Sequence, residues 1–438
     1  MNLTYTSWIV TAILIGFLYF LKKKKISFGI RVLIAMALGV AVGIIFGNQA
    51  QSIGVLGSIY INLIMMLVIP LVISSIISSM TSLTDIKQLK TVGVKTIGLF
   101  LLLTAIASVI GILVGLVFDP GSGISIADTS GYKVREVNFT AFLLDMIPKN
   151  PVAEMSAGKI IPVIIFAMII GVAITIESER KPETMKPVKD VVNSFTQVMF
   201  RVTKMVLKLT PYGVFGLLTA MASKYGLGTL LELGKFILAV YVACILHTVI
   251  TYTGFVGLAA KVNPLRFFRK IFPVMVVGFT TRSSYGTLPV TMKTLTERVK
   301  ISERIVSFVA PLGATINMNG CGGLYPAIVC IFIAKVYGID LTFTSYLLIV
   351  LTSVLASVGT AGVPGTASIM ATVVLSSAGL PVAGIALVMG IDAIVDMART
   401  AVNVTGTTVA ALIVGESEGE FDREAFNRED DTLQLNPS

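Results

Sequence analysis

The feature that most restricts this chain is its succession of apolar runs, among them 53–80, 91–118 and 230–259, each long enough to cross a bilayer as a helix. Backbone amides find no partner in lipid, so runs of this kind fold as helices. Composition agrees: 55% of residues are hydrophobic and only 13% are charged. The expected fold class is an all-α polytopic membrane protein. A net charge of +10 would suggest nucleic acid in a soluble protein. Here the Lys and Arg residues sit mainly in the connections between apolar runs, the positive-inside pattern, which argues against a nucleic-acid partner.

Taken in order, residues 7–21 form an apolar segment followed by Lys22 to Lys25. A signal peptide carries its charge before the apolar core, so this segment is read as a retained helix, with the N-terminus outside and the basic end in the cytoplasm. Residues 31–46, 53–80 and 91–118 then cross in turn, with Lys87, Lys90 and Lys95 near the inner end of the last. The polar connection 119–158, with a short amphipathic piece at 139–147, reads as external. Residues 160–176 cross again, and the charged link 177–189 is a cytoplasmic junction between two halves. Helices over 191–223 and 230–259 follow, the first bent by Pro211 and Gly213.

Beyond Asn263 the pattern changes. Apolar arms at 268–279 and 288–295 flank TTRSSYGT at 280–287, and arms at 346–356 and 366–374 flank SVGTAGVPG at 357–365. Broken backbone at membrane depth is tolerated only where protein or a cavity surrounds it, so each unit reads as a re-entrant hairpin. An apolar segment interrupted by TINMNGCGG (306–334) follows the first hairpin, and a polar helix (381–414) follows the second. Corresponding broken segments in two halves point to a transporter's binding site, although loops in a channel or receptor are an alternative. The tail, 415–438, is acidic and expected to be cytoplasmic, solvated and disordered.

Residues 390–414 are helix-long and apolar yet carry Asp392, Asp396, Arg399 and Asn403. Steps of four, three and four keep these side chains within roughly 60° on a helical wheel. Facing lipid, the three charges would cost about 8–10 kcal/mol, so they face protein or water. Two readings follow. Asp396 and Arg399 form a structural ion pair, or they bind a solute, Arg399 taking a carboxylate in bidentate fashion and Asp396 an ammonium.

No enzymatic constellation emerges: there is no nucleophile elbow, phosphate loop or paired-carboxylate site. Cys244, Cys321 and Cys330 are odd in number and lack metal-site spacing, and His247 reads as a packed polar core residue.

The stretches Thr281 to Pro289, Gly313 to Gly320, 357–365 and 392–403 resemble the four signature stretches of the dicarboxylate/amino acid:cation symporter family, the glutamate-transporter-like proteins. The similarity runs from about 31 to 414. Within that family the chain is most similar to bacterial L-cystine uptake symporters, through the extra N-terminal helix, PKNP at 148–151, PYGV at 211–214 and NGCGGLYPA at 319–327.

The resemblance implies inverted repeats, two re-entrant hairpins (about 268–295 and 346–374) and a homotrimer in the cell inner membrane. Residues 1–28 would be an added helix. Residues 29–262 would be mainly scaffold, with transport helices at about 91–118 and 230–259, and 263–414 the transport core that moves as an elevator. Carried over position by position, Ser284, Met318, Cys321, Val363, Gly365, Asp396, Arg399, Thr400 and Asn403 would line the substrate pocket, the second hairpin being the gate. A cation would lie among Gly313, Thr315, Asn317, Met318, Ser357, Val358, Thr360 and Asn403. Arg399 favours a substrate with two carboxylates: cystine, glutamate, aspartate or a C4-dicarboxylate.

The chain departs from the glutamate-type pattern at two sodium-binding acids, where it has Asn319 and Thr407, and at a serine, where it has Ala105. Losing an acid removes the charge that compensates a cation in a low-dielectric site. The coupling ion is therefore expected to be H+, or fewer Na+ ions, with Asp392 or Asp396 titrating. No other metal and no cofactor are implied.

Overall fold

The computed structural model describes residues 3–26, 28–81, 89–124, 144, 147–158, 160–225, 228–360, 362 and 365–428. Among them seven helices are long and apolar enough to cross a membrane, and an eighth is counted if the bent pair Pro182–Val206 and Thr210–Lys224 forms one span. The described residues contain no strand, only a bridge between Ile301 and Phe421.

The first half comprises α1 (Leu3–Lys23), α2 (Phe28–Phe46), α3 (Gly54–Met65), α4 (Val68–Thr81), α5 (Val94–Phe118), α6 (Ile160–Arg180), α7 (Pro182–Leu207), α8 (Thr210–Tyr225) and α9 (Gly228–Leu246), which continues in wide turns to Ala259. The charged link expected at 177–189 is helical except for Lys181, because its alternating charges suit the ends of α6 and α7. The run 191–223 is bent by 51°, at Lys208 and Leu209, just ahead of Pro211. Proline in a first helical turn forfeits no hydrogen bond, so the break falls before it.

The second half has α10 (Pro264–Thr281) and α11 (Ser284–Thr294), α12 (Glu303–Ile316), a wide turn at Asn319–Leu324, α13 (Tyr325–Val336), α14 (Phe343–Val358) and α15 (Thr366–Ser377), and α16 (Asp392–Ser417). The first break is narrower than the sequence suggests. Arg282 closes α10 in the left-handed region at φ 54°, and Ser283 caps α11 by accepting from the Gly286 amide. The second break spans 359–365, and α15 starts after Gly365 at φ 84°, a conformation that glycine adopts without strain. Most of the amphipathic piece at 139–147 lies outside the described residues.

Packing follows polarity. α8 lies on α2 and α3, and α4 lies on α6 and α7. α16 is held by α10, α12, α9 and α5, while the turn Asn319–Leu324 is wedged between α5 and α16. Over their most apolar 18 residues, 100% of the segment Glu303–Val336 and 83% of α16 are buried, against 17% of Thr4–Lys23. The helices that carry polar groups are innermost because lipid cannot solvate them.

The tail corrects an expectation: it is ordered through Arg428. A last helix, α17 (Arg423–Asn427), buries Phe426, and the Phe421 ring stands 5.4 Å from it. Glu420 accepts from Arg304 and Ser302, and Arg423 donates to the carbonyls of Lys261 (2.6 Å) and Ala260 (2.8 Å). The acidic composition that suggests solvation finds basic partners in Lys95 and Arg304, and two aromatic rings supply a small core.

Candidate solute site

α16 presents its polar stripe to protein. Arg399 is fully buried, and Asp396 and Asn403 are each 2% exposed. The Arg399 Nη2 donates to Asp392 Oδ1 at 2.7 Å and to Asp396 Oδ1 at 3.1 Å. Its guanidinium lies over the Tyr325 ring, 3.9 Å from the centroid, a cation–π contact. Asp392 Oδ1 also accepts from the Ser368 hydroxyl (2.9 Å), and Ser368 shares a hydrogen bond with the Tyr325 hydroxyl (3.3 Å). Side chains from α13, α15 and α16 thus close around one cation.

The ion pair between Asp396 and Arg399 is therefore made. It uses only part of what the groups offer. Among the described residues, Asp396 Oδ2, Arg399 Nε and Arg399 Nη1 are buried without a hydrogen-bond partner. A buried polar atom left unpaired costs about 1–3 kcal/mol, more when charged, so a pair serving packing alone would be a poor use of these residues.

Asn403, one turn further, binds the interrupted helix. Its Oδ1 accepts from the amides of Gly320 (2.8 Å) and Cys321 (3.3 Å), as a helix cap does, and its Nδ2 donates to Cys321 Sγ (3.1 Å) and Met318 Sδ (3.3 Å). Gly320 permits this approach: a Cβ there would lie 2.4 Å from the Arg399 carbonyl oxygen. Met318, Cys321, Asp396, Arg399 and Asn403 are brought together, and Thr400 is buried beside them on α16. Cys321 Sγ lies 3.9 Å from Asp396 Oδ1.

Ser284 and Gly365 belong to the two hairpin tips, and among the described residues no hydrogen bond joins either to Arg399. The tips themselves are joined. The Gly362 carbonyl accepts from the Ser283 hydroxyl (3.0 Å) and the Tyr285 amide (3.2 Å). Val363 lies outside the described residues.

The residues expected around a cation are mostly committed elsewhere. The hydroxyls of Thr315, Ser357 and Thr360 donate to carbonyls of their own helices or helix ends, at 2.7, 2.7 and 2.8 Å. The Met318 carbonyl accepts from the amides of Gly322 (2.5 Å) and Gly323 (3.2 Å). Asn317 Nδ2 donates to the Asn403 carbonyl and to Thr407 Oγ1, both at 3.1 Å, while its buried Oδ1 accepts from no described residue. Gly313 packs on Thr407, and Val358 ends α14. Asn319 Oδ1 accepts from Thr104 (2.8 Å), and its Nδ2 donates to the Tyr252 hydroxyl (2.8 Å), which in turn donates to the Val402 carbonyl (2.9 Å). Within this set, Asn317 Oδ1 is the side-chain oxygen left without a partner among the described residues.

Sequence reasoning passed over Tyr325, Ser368, Tyr252 and Ser283. Tyr325 had a signal, since it stands four residues from Cys321 and so shares its face. Ser368 and Tyr252 had none, because their helices meet α13 and α16 only in the folded protein.

Residues 28–417 match the sodium:dicarboxylate symporter family. An L-cystine uptake protein, TcyP, of Bacillus thuringiensis (strain Al Hakam) is 34% identical over 447 residues, covering 96% of each chain. A proton/sodium-glutamate symport protein of Bacillus caldotenax is 34% identical over 414 residues, covering 92% of this chain and 97% of that protein. Another of that name, from Geobacillus stearothermophilus, is 33% identical over 414 residues. A family match over almost the whole length, with relatives aligned end to end, shows that the chain belongs to the sodium:dicarboxylate symporter family.

Proposed function

We propose that the protein is a secondary active symporter of the cell membrane that imports an amino acid with two carboxylates, L-cystine foremost. Glutamate, aspartate and C4-dicarboxylates are the other substrates of matching chemistry. The observation that carries the reading is the half-satisfied guanidinium: Arg399 is buried and, among the described residues, pairs through Nη2 and holds Nε and Nη1 without hydrogen-bond partners. These two nitrogens keep N–H groups that can donate to the oxygens of a solute carboxylate. Asp396 Oδ2, equally unpartnered, suits the ammonium of the same solute. Asp392 and Asp396 neutralise Arg399 whenever no carboxylate is bound, which a buried cation requires. The uptake named for the TcyP relative supports cystine as substrate.

The joined hairpin tips would form the gate, opening when the second hairpin lifts from Ser283. α5, α9 and α10–α16 would move as one body against α2–α4 and α6–α8, within a homotrimer. The N-terminus would lie outside and the tail in the cytoplasm. Coupling would be to H+ or Na+, with Asp392 or Asp396 taking the proton in the first case.

Proteoliposomes test this. Uptake of labelled cystine is expected to compete with unlabelled cystine and not with serine. Equal competition by serine would refute a two-carboxylate site, and competition by glutamate, aspartate or fumarate would rank the alternatives. Arg399→Ala is expected to abolish uptake with the protein still in the membrane, whereas its disappearance from the membrane favours the structural pair. An imposed pH gradient without sodium is expected to drive uptake; strict sodium dependence rules out proton coupling.

A further inference from the structure

Away from the buried cluster, a cavity of about 1030 Å³ opens between the end of α9, α10, the residues following α11, and α17. It shares no residue with the solute site and lies at the upper end of the range for small-molecule sites, roughly 300–1,000 Å³. Its walls are of two kinds. Val249, Phe272 and Met275 line an apolar side, and Val249 and Phe272 carry it onto the outer surface, where they are 59% and 60% exposed. On the other side, five of the fourteen lining residues are Lys or Arg, against one acid, Glu297. Arg269, Arg298 and Lys300 make no side-chain hydrogen bond or ion pair with any described residue.

The flanking connections, 261–270 and 293–304, carry eight Lys or Arg and two Glu, which sets this end of the molecule at the cytoplasmic face. An apolar surface open to lipid tails, ending in unpaired cations at headgroup depth, has the form of an anionic lipid site. We propose that this cavity binds an anionic phospholipid, its phosphate held by Arg269, Arg298 and Lys300 and its acyl chains laid along Val249, Phe272 and Met275. A soluble phosphate ester would share the cations but has no use for the apolar side, and a lipid uses both.

Native mass spectrometry of the full-length protein, mixed with equal phosphatidylglycerol and phosphatidylcholine, tests the proposal. Phosphatidylglycerol is expected to be retained in preference. Each cation near an anionic headgroup contributes about fivefold in binding, so the double variant Arg269→Gln with Arg298→Gln is expected to lower retention about 30-fold. Glutamine keeps most of the side-chain volume, and Lys300→Gln, expected to lower it about fivefold, is a second variant should the double one elute as aggregate. Equal retention of the two lipids, or undiminished retention by the variants, overturns the proposal. Displacement by soluble glycerol phosphate at the lipid's own concentration would assign the cavity to a soluble phosphate. Retention seen only after removal of 429–438 would make the chain's own acidic residues the occupant.

Discussion

Asn319 stands where the resemblance to glutamate-type members implies an acid, and its surroundings show why an amide suits it. Its oxygen accepts from Thr104 and its nitrogen donates to Tyr252, whose own proton is engaged by the Val402 carbonyl. A carboxylate would accept at both positions, break the donation to Tyr252, and add a buried charge with no cation beside it. Asn319→Asp is expected to destabilise the protein by about 3–5 kcal/mol in sodium-free buffer, the cost of an uncompensated buried charge. Sodium should restore part of this by binding the folded state. Thermal unfolding with and without sodium checks it, and a loss indifferent to sodium would refute the view that this position distinguishes the ion sites. Arg399, seven residues from Asp392 and three from Asp396, illustrates the same rule: an interior charge persists only in company.

At the scale of elements, the pairs α10–α11 and α14–α15 meet, among the described residues, at the Gly362 carbonyl. Ser283 both caps α11 and donates to Gly362, so one hydroxyl serves the start of a helix and, with the Tyr285 amide, the contact between the two breaks. Ser283→Ala is expected to cost about 1 kcal/mol from the cap and to loosen the contact with Gly362, the gate of the proposed function. Exchange of labelled for unlabelled substrate should accelerate and apparent affinity should fall severalfold; unchanged exchange would mean that the contact does not restrain opening. The interrupted helix behaves comparably. Asn403 supplies from α16 the cap that the wide turn at Asn319–Leu324 cannot make for itself.

For the whole molecule, the tail ties separate parts together. Lys95 of α5 pairs with Glu418 at 2.5 Å, Glu420 with Arg304, and Arg423 reaches the carbonyls after α9. Hydrogen bonds from Arg304 and Ser302 hold the Glu420 carboxyl below the usual glutamate range. A depressed folded value means that the contribution is present above the unfolded value, about 4.3, and is lost as pH falls through the folded one. Docking is thus complete at neutral pH and loosens only in acid. Hydrogen exchange of 418–428 is expected to be slow at pH 7 in the native protein and fast in Glu420→Gln; equal protection in both would show that the aromatic contacts suffice.

The apolar runs, the positions of the two breaks and the polar stripe of the last helix were legible in the sequence, because each is a local matter of hydropathy and helical spacing. So was the family, which rests on contiguous motifs. Burial of Arg399 against Tyr325, the junction at Gly362, and the cavity beside α17 needed tertiary structure, since each brings together residues of separate elements. The packing of the tail's described residues eluded composition for the same reason: Glu418 and Glu420 read as solvated until their partners, over a hundred residues earlier, are placed next to them. Local sequence determines what must leave lipid, and only the packed fold decides which groups then meet.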